Sequence, residues 1–491
     1  MTTINTNMSA ITAQANMKRV NDDMNAAMSR LSSGLRINAA KDDAAGMAIA
    51  EKMTSQITGL NQAVRNATDG KNLLDTTEGA HVEVSNMLQR LRELAVQSSN
   101  DTNTASDRSN LGAEAKQLVT EINRVAKDTT FNGMKILDGS FAGKQFQIGA
   151  DSGQVLNISV DSAAATDIGA HTMNSNVSLA AGAGTTDTGI AAGTTINITG
   201  FAGSAELTTT TGQSAKEMAA AVNNVSASTG VTASATTNLE LSGFSAADTV
   251  TFNVNGVNIG TVAISDENDL RGIATAINNQ SGRTGVTATM GDDNSSIKLT
   301  DATGADILIS DFTTGTGTST MDVTAQNADG TAAGTGAEHT ATLDDTDNDV
   351  AISGQVELSS TKQFSVGTDV VTAGEVFFET AANTSELSSV AEIDLTTQEG
   401  AAAALKVIDV ALQKVSQARS DLGAVSNRLD STISNLTNIT VNVQAARSGV
   451  MDADFAKESS EMARSQILSQ ASTAMLAQAN QSAQGMLSLL R

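Results

Sequence analysis

Apolar residues at both ends of this chain recur at helical spacing, and the middle carries no such pattern. Near the C-terminus Leu405, Ile408, Leu412, Val415, Ala418, Leu422, Val425, Leu429, Thr432 and Leu436 follow one another at intervals of 3 or 4. Near the N-terminus Met53, Ile57, Leu60, Val64, Ala67, Lys71 and Leu74 do the same, followed by Val84, Leu88, Leu91 and Ala95. A third run is Leu111, Ala115, Leu118, Ile122 and Val125. A stripe repeating about every 3.5 residues lies on one side of a helix and must be buried against other helices. Segments more than 300 residues apart therefore pair. The expected architecture is α+β and multidomain: long antiparallel coiled-coil helices from both termini, with small β-rich domains inserted between them.

With 491 residues the chain is long enough for roughly three domains of ordinary size. A formal net charge of −25 argues against nucleic acid, whose phosphates demand clustered Lys and Arg, and against an anionic membrane surface. From Gln145 to Thr361 the basic residues are Lys216, Arg271, Arg283 and Lys298, so most cations belong to the helical ends. Cys, Pro, Trp and Tyr are absent. Zero Cys excludes disulfides, thiolate metal ligands and cysteine nucleophiles. An average chain of this length would hold about 25 Pro; without them helices run unkinked, and turns fall to Gly, Asn and Asp. The opening MTTINTNMSA lacks the basic region and apolar core of a cleavable signal peptide. No run of about 18 apolar residues occurs, so no membrane insertion is expected.

Along the chain, Ile4, Met8, Ile11, Val20, Met24, Met28 and Leu31 form a sparse helical face up to a Ser32–Gly34 turn. A helical stretch then reaches from about Asp43 to the polar break at Asn100–Thr104, with Ser106 expected as N-cap and Asp107 as a first-turn residue of the next helix. Asn132-Gly133 reads as a turn, and the shorter period of Phe146, Ile148, Val155, Ile158 and Val160 as a small hairpin region. From about Asp161 to Ala391 a repeat emerges. INITG at 196–200 matches FNVNG at 252–256, AVNN at 221–224 matches AINN at 276–279, and TGVTA at 229–233 recurs at 284–288. LEL at 239–241 answers IKL at 297–299. A period of about 55 residues with strand, short helix, strand order predicts two related α+β modules. Gly/Thr stretches such as Gly315–Thr320 are expected to link compact units. The returning C-terminal helix is expected to break at Gly449, with Asp452 and Asp454 as caps for the last helix.

Catalytic chemistry finds little footing. His81, His171 and His339 are the only histidines, none at metal-ligand spacing with another, and HExxH, GxSxG, a Walker loop and a dinucleotide fingerprint are all missing. His81 lies in the seam and reads as structural. Adjacent acids such as Asp42–Asp43 point apart on a helix and read as solvated charge. Asp345, Asp347 and Asp349 alternate like the start of a calcium loop, but Val350 and Val356 stand where that loop needs Gly and Glu, so they read as an acidic surface loop. No enzyme activity, metal or cofactor is expected. The terminal segments, roughly Thr2–Leu31 and Asp452–Arg491, can pair with each other, yet a lone helix pair leaves apolar surface exposed. Periodicity alone leaves open whether copies of the chain or its own body cover it.

The motifs decide between these. RLSSGLRINAAKDDAAGMAIA (30–50), LQRLRELAVQSSN (88–100), FNGMKILDG (131–139), ARSDLGAVSNRLDSTISNL (418–436) and AQANQSAQGMLSLLR (477–491) resemble the signatures of bacterial flagellins. The likeness covers about the first 160 and last 95 residues, and the repeated middle is similar to small insertion modules of some flagellins. The resemblance implies an exported structural subunit that forms a helical homopolymer, the flagellar filament, outside the cell. It implies a filament-core domain from 1–43 and 451–491, assembled through Ile4, Met8, Ile11, Ile467, Met475, Leu487, Leu489 and Leu490. It implies an inner helical domain from 44–165 and 395–450, and exposed outer domains over 166–394. The export apparatus, an export chaperone, the filament cap and hook-associated proteins are the implied partners. A host Toll-like receptor is another, read through Arg90, Leu94 and Glu114. The rival readings are a hook–filament junction protein and a secreted filament-forming adhesin.

Overall fold

The computed structural model describes residues 6–185, 187–188, 190–291, 294–334, 339–369, 377–378 and 383–488. Its helices are α1 (Met8–Ser33), α2 (Ala44–Ser98), α3 (Ala105–Asp128), α4 (Ala215–Asn224), α5 (Ser226–Thr229), α6 (Arg271–Asn278), α7 (Ser281–Thr284), α8 (Gln398–Met451) and α9 (Phe455–Ser488). The strands are antiparallel and lie between α3 and α8. The fold is thus α+β and multidomain. The chain gathers into two units, one of Met1–Asp75, Gly143–Ser159 and Leu422–Arg491, the other of Thr76–Ala142 and Val160–Asp421.

In the first unit α1 and α9 pair antiparallel, and the start of α2 pairs with the end of α8. From Thr54 to Lys71 along α2 the partner moves back from Arg447 to Asp430, 17 residues in each helix, as antiparallel helices of equal rise require. Leu60, Ala63 and Leu436 form the core between them, with Val64 and Ile439 packed on it. The expected hairpin pairs Lys144–Gln147 with Val155–Ile158 and docks on α2, where the Asn66 amide donates to the Gln147 carbonyl at 2.9 Å. Gly59 lies closest to it: a Cβ there would sit 3.1 Å from the Ala150 side chain.

Both helical strands of this unit break at one level. α1 ends at Gly34, at φ 71°, whose N–H returns to the Arg30 carbonyl. The following linker binds the α8–α9 joint through Arg36 N–H to Met451 O (2.7 Å) and Ala453 N–H to Gly34 O (2.9 Å). The break therefore falls after Met451 and not at Gly449, where the helix continues. Asp454 caps α9 as expected, accepting from the N–H of Ala456 and Lys457, whereas Asp452 takes the Ser448 hydroxyl. Asp42 and Asp43 are not merely solvated. Asp42 accepts the N–H groups of Asn38 and Ala39, which hold its carboxyl below the usual range, and Asp43 accepts Gly46 N–H at the start of α2.

In the second unit the rest of α2, α3 and the first half of α8 pack together. Glu78 pairs with Arg419 and Arg92 with Asp409, again antiparallel. The innermost stripe of α8 is Ala401, Ala404, Ile408, Ala411 and Val415. Leu405 and Leu412, expected on the seam, sit half-buried one residue to its side. Alanines let the helix backbones come close, so the small residues take the centre and the leucines flank it. The cap of α3 is Thr104, reciprocally bonded with Asp107, and not Ser106. Asn132-Gly133 makes the expected turn between Thr130–Phe131 and Met134–Lys135.

The repeat is real and its period is visible in hydrogen bonds. The Asn223 side chain at the end of α4 clamps both backbone groups of Ala233, and Asn278 at the end of α6 clamps Ala288 in the same way. Both pairs are 55 residues apart, as are the left-handed Gly230 and Gly285 that end α5 and α7. The first module's core gathers Ile196, Ile198, Met218 and Val222 with Val366 from far downstream. The second gathers Phe252, Val254, Ile273 and Ile277 with Ile309 and Phe312. Strand Thr232–Ser242 serves both. Its first half pairs with Gln355–Ser360, and its second half with Ile297–Asp301 and Met321–Gln326. LEL and IKL are thereby neighbours, with Glu240 opposite Lys298.

Gly315–Thr320 is no linker between units. It is a loop inside the second module, held by Asp248, which accepts from Thr316 and Ser319, while Gly315 N–H reaches Thr249 O. The Thr316 hydroxyl leads those bonds in lowering the Asp248 carboxyl to about 2. The Asn clamp yields a prediction. Asn278→Ala strands the N–H and carbonyl of Ala288 and should cost about 1–3 kcal/mol, read by urea denaturation; Asn278→Asp, which keeps the acceptor for Ala288 N–H but sets a carboxylate oxygen against the Ala288 carbonyl, should not recover that loss at neutral pH.

Candidate assembly and recognition surfaces

The α1–α9 pair is held by thin, polar contacts. The Asn7 amide donates to Ala479 O at 3.1 Å, the Ser469 hydroxyl lies 3.3 Å from Asn21 Oδ1, and Arg30 stands 3.6 Å from a buried Glu458. Among the described residues of α1 only Ala27 is buried. Val20, Met24 and Leu31 are half-buried, but other bulky apolar side chains face outward: Met8 is 62% exposed, Ile11 51%, Ile467 67% and Met475 65%, with Met28, Phe455 and Leu468 also exposed. A shallow groove between the helices is lined by Met8, Thr12, Asn16, Leu468 and Met475. Each such side chain contributes about 1.5–3 kcal/mol when fully buried, and within one chain that burial is not made. Ile4, Leu489, Leu490 and the side chain of Leu487 lie outside the described residues.

The helical seam is a different surface. Ile57, Leu60, Leu88, Leu91, Ile122, Ile408, Leu422, Leu429 and Leu436 are buried, and Val64, Leu118, Leu405 and Leu412 half-buried. The buried ones belong to the core of their own unit.

Arg90 and Glu114 are brought together as an exposed ion pair between α2 and α3. The Arg90 guanidinium donates through Nε and Nη2 to Glu114 Oε1 at 3.0 and 2.8 Å, and through Nη1 to Glu93 Oε2 at 2.8 Å. Glu93 and then Glu114 drive its affinity for the proton further up. Leu94 is not part of that surface. It is 1% exposed, because its position belongs to the inward face of α2 with Leu91 and Ala95. Spacing along α2 misses Glu93 as a partner, although its place three residues after Arg90 is the local signal for it.

His81 is 2% exposed in the second unit, and among the described residues neither ring nitrogen has a hydrogen-bond partner. Burial pushes its pKa down, against the pull of Glu78 and Asp161 and with the push of Arg419. In the 344–349 loop Asp345 accepts Thr314 N–H, and Asp349 accepts Asp311 and Gly184 N–H. Among the described residues no three His, Asp or Glu side chains group to hold a metal, and no helix is long and apolar enough to cross a membrane.

A depressed histidine binds its proton more tightly in the unfolded chain, so its contribution to stability is complete above the unfolded pKa and is lost as pH falls below it. Stability of the helical core should therefore decline below about pH 6.5, and His81→Leu should flatten that part of the profile in urea melts taken across pH.

Residues 4–142 match the family description "Bacterial flagellin N-terminal helical region", and residues 405–490 match "Bacterial flagellin C-terminal helical region". The two repeats, 195–247 and 249–303, each match the "Flagellin hook IN motif". The B-type flagellin of Pseudomonas aeruginosa is 38% identical over 556 aligned positions, covering 100% of this chain and 99% of that protein. Flagellin B of Vibrio cholerae is 34% identical, covering 99% of each. A solved structure of FliC from Burkholderia pseudomallei is 20% identical and covers 73% of this chain and 99% of its own, at a TM-score of 0.29, too low to speak to the fold.

Proposed function

Since the chain belongs to the bacterial flagellin family and is a structural subunit of the extracellular flagellar filament, we propose that the α1–α9 pair is its polymerising surface. The observation that carries this is the outward apolar set of Met8, Ile11, Ile467 and Met475 on a pair with almost no core of its own. Copies of the same pair complete a core that one chain lacks, which couples folding of these helices to assembly. Residues 1–43 and 451–491 then make the filament core, 44–165 and 395–450 the inner helical layer, and 166–394 the outer surface. The role is mechanical and not catalytic. Export apparatus, export chaperone, cap and hook-associated proteins complete the set of partners.

Hydrogen exchange on monomer and filament tests this. Thr12–Met28 and Ser459–Met475 should exchange almost freely in dilute monomer and be strongly protected in the filament, while Ile57–Leu74 is protected in both. Strong protection of the terminal helices in monomer would overturn the proposal.

We also infer that Arg90 and Glu114 are the exposed heart of a Toll-like receptor epitope, resting on the resemblance of this helix to the flagellin signature. Because Leu94 is buried, the informative variants are Arg90→Ala and Glu114→Ala. Each should weaken signalling by soluble monomer by about tenfold or more, as hot-spot losses near 2 kcal/mol do, without moving the thermal melt by more than a few degrees. Undiminished potency in a reporter-cell assay would refute it.

A further inference from the structure

The chain contains two Asn-Gly pairs, Asn132-Gly133 and Asn255-Gly256. They occupy the same kind of turn. Asn132 and Asn255 both have φ 49°, and the glycines follow at 78° and 74°, the left-handed pair that closes a two-residue hairpin. In each, the glycine N–H has no hydrogen-bond partner among the described residues. Backbone shape and nucleophile are therefore alike at the two sites.

The side-chain amides are not alike. Asn255 is held at both ends: its Oδ1 accepts Leu308 N–H at 2.9 Å, and its Nδ2 donates to Thr284 O at 2.9 Å. It is half-buried, and those bonds tie the turn of the second module to a neighbouring strand and to the end of α7. The Asn132 amide has no partner among the described residues, and both Asn132 and Gly133 are exposed, with open space where a Gly133 Cβ would be.

We propose that Asn132 is a site of spontaneous covalent modification by deamidation, and that the fold protects Asn255 from the same reaction. With its proton taken by hydroxide, the Gly133 backbone nitrogen attacks Asn132 Cγ. The new N–Cγ bond forms as the Cγ–Nδ2 bond breaks, and ammonia leaves with a proton from solvent. Water then opens the cyclic imide at one of its two carbonyls, giving aspartate or isoaspartate. The net change is amide and water to carboxylate and ammonium, with no oxidant or cofactor. At Asn132 the free amide can rotate to present Cγ to that nitrogen. At Asn255 the two hydrogen bonds must first break, and Cγ is turned toward Leu308 and Thr284. The product places a new negative charge three residues from Lys135, and the isoaspartate form adds a backbone atom to a turn with only two central residues.

Peptide mapping by mass spectrometry, on the folded full chain held in mildly alkaline buffer, tests this. Asn132 should convert at least about tenfold faster than Asn255, the retardation that loss of two hydrogen bonds imposes. In concentrated urea the two rates should converge to within a factor of about 3, because the protection of Asn255 is tertiary and the remaining sequence difference is small. Asn132→Gly, which suits the left-handed turn, should abolish the product in that peptide and leave the Asn255 rate unchanged. Equal rates in the folded chain would overturn the proposal. A gap that persists undiminished in urea would also overturn it, since the cause would then be flanking sequence and not the tether.

Discussion

The antiparallel burial of one helical stripe against another is the interaction on which the rest of this chain depends. The N-terminal and C-terminal helices have too few bulky residues per turn to stand alone in water, where nucleation is costly and propensity is marginal. Each becomes stable only where a partner covers its stripe. The partner comes from the other end of the chain, so the chain between has to leave the first helices and return to them. An insert of more than 200 residues is tolerated because closing a longer loop costs only slightly more entropy.

Close packing on such thin stripes is achieved by small residues. Ala401, Ala404 and Ala411 occupy the centre of α8 in the second unit, and Ala63 and Ala67 that of α2 in the first. Gly59 leaves room for the hairpin at Ala150. The absence of proline removes the residue that would interrupt a 55-residue or 54-residue helix. The one break in each helical strand is instead made by a left-handed glycine at Gly34 and by the Asp452–Asp454 joint, and the two are bonded to each other. The terminal pair beyond that break differs in kind, because several of its largest apolar side chains stay exposed.

The middle is stabilised by another principle. Its modules have ordinary β-rich cores, but the links that fix their geometry are short polar side chains bonded to backbone: Asn223, Asn278, Asp248 and Asn255 each satisfy amides or carbonyls that no strand partner reaches. This accounts for a segment rich in Asn, Asp and Thr that is nonetheless well packed. It also separates chemically similar groups, since a tethered Asn and a free Asn in equivalent turns present different reactivity.

Periodicity is local, so the sequence alone determined which stretches are helical, that the two ends pair, that the middle is a duplicated α+β insert, and to which family the motifs point. Helix starts and stops were legible only in part: Gly34 and Asp454 act as read, whereas Thr104 displaced Ser106 and the helix passed through Gly449. What a one-dimensional pattern could not decide is which residue of a stripe faces the neighbour. One step along a helix turns the side chain by about 100°, so Ala404 or Leu405 at the centre depends on how closely the backbones approach, and only the packed structure sets that. The same holds for the candidate recognition site. Arg90 and Glu114 are 24 residues apart and meet because α2 and α3 lie side by side, while Leu94, four residues from Arg90, turns inward with the core. Whether a side chain is offered to a partner or spent on the fold is a property of its neighbours in space, and those neighbours are distant in sequence.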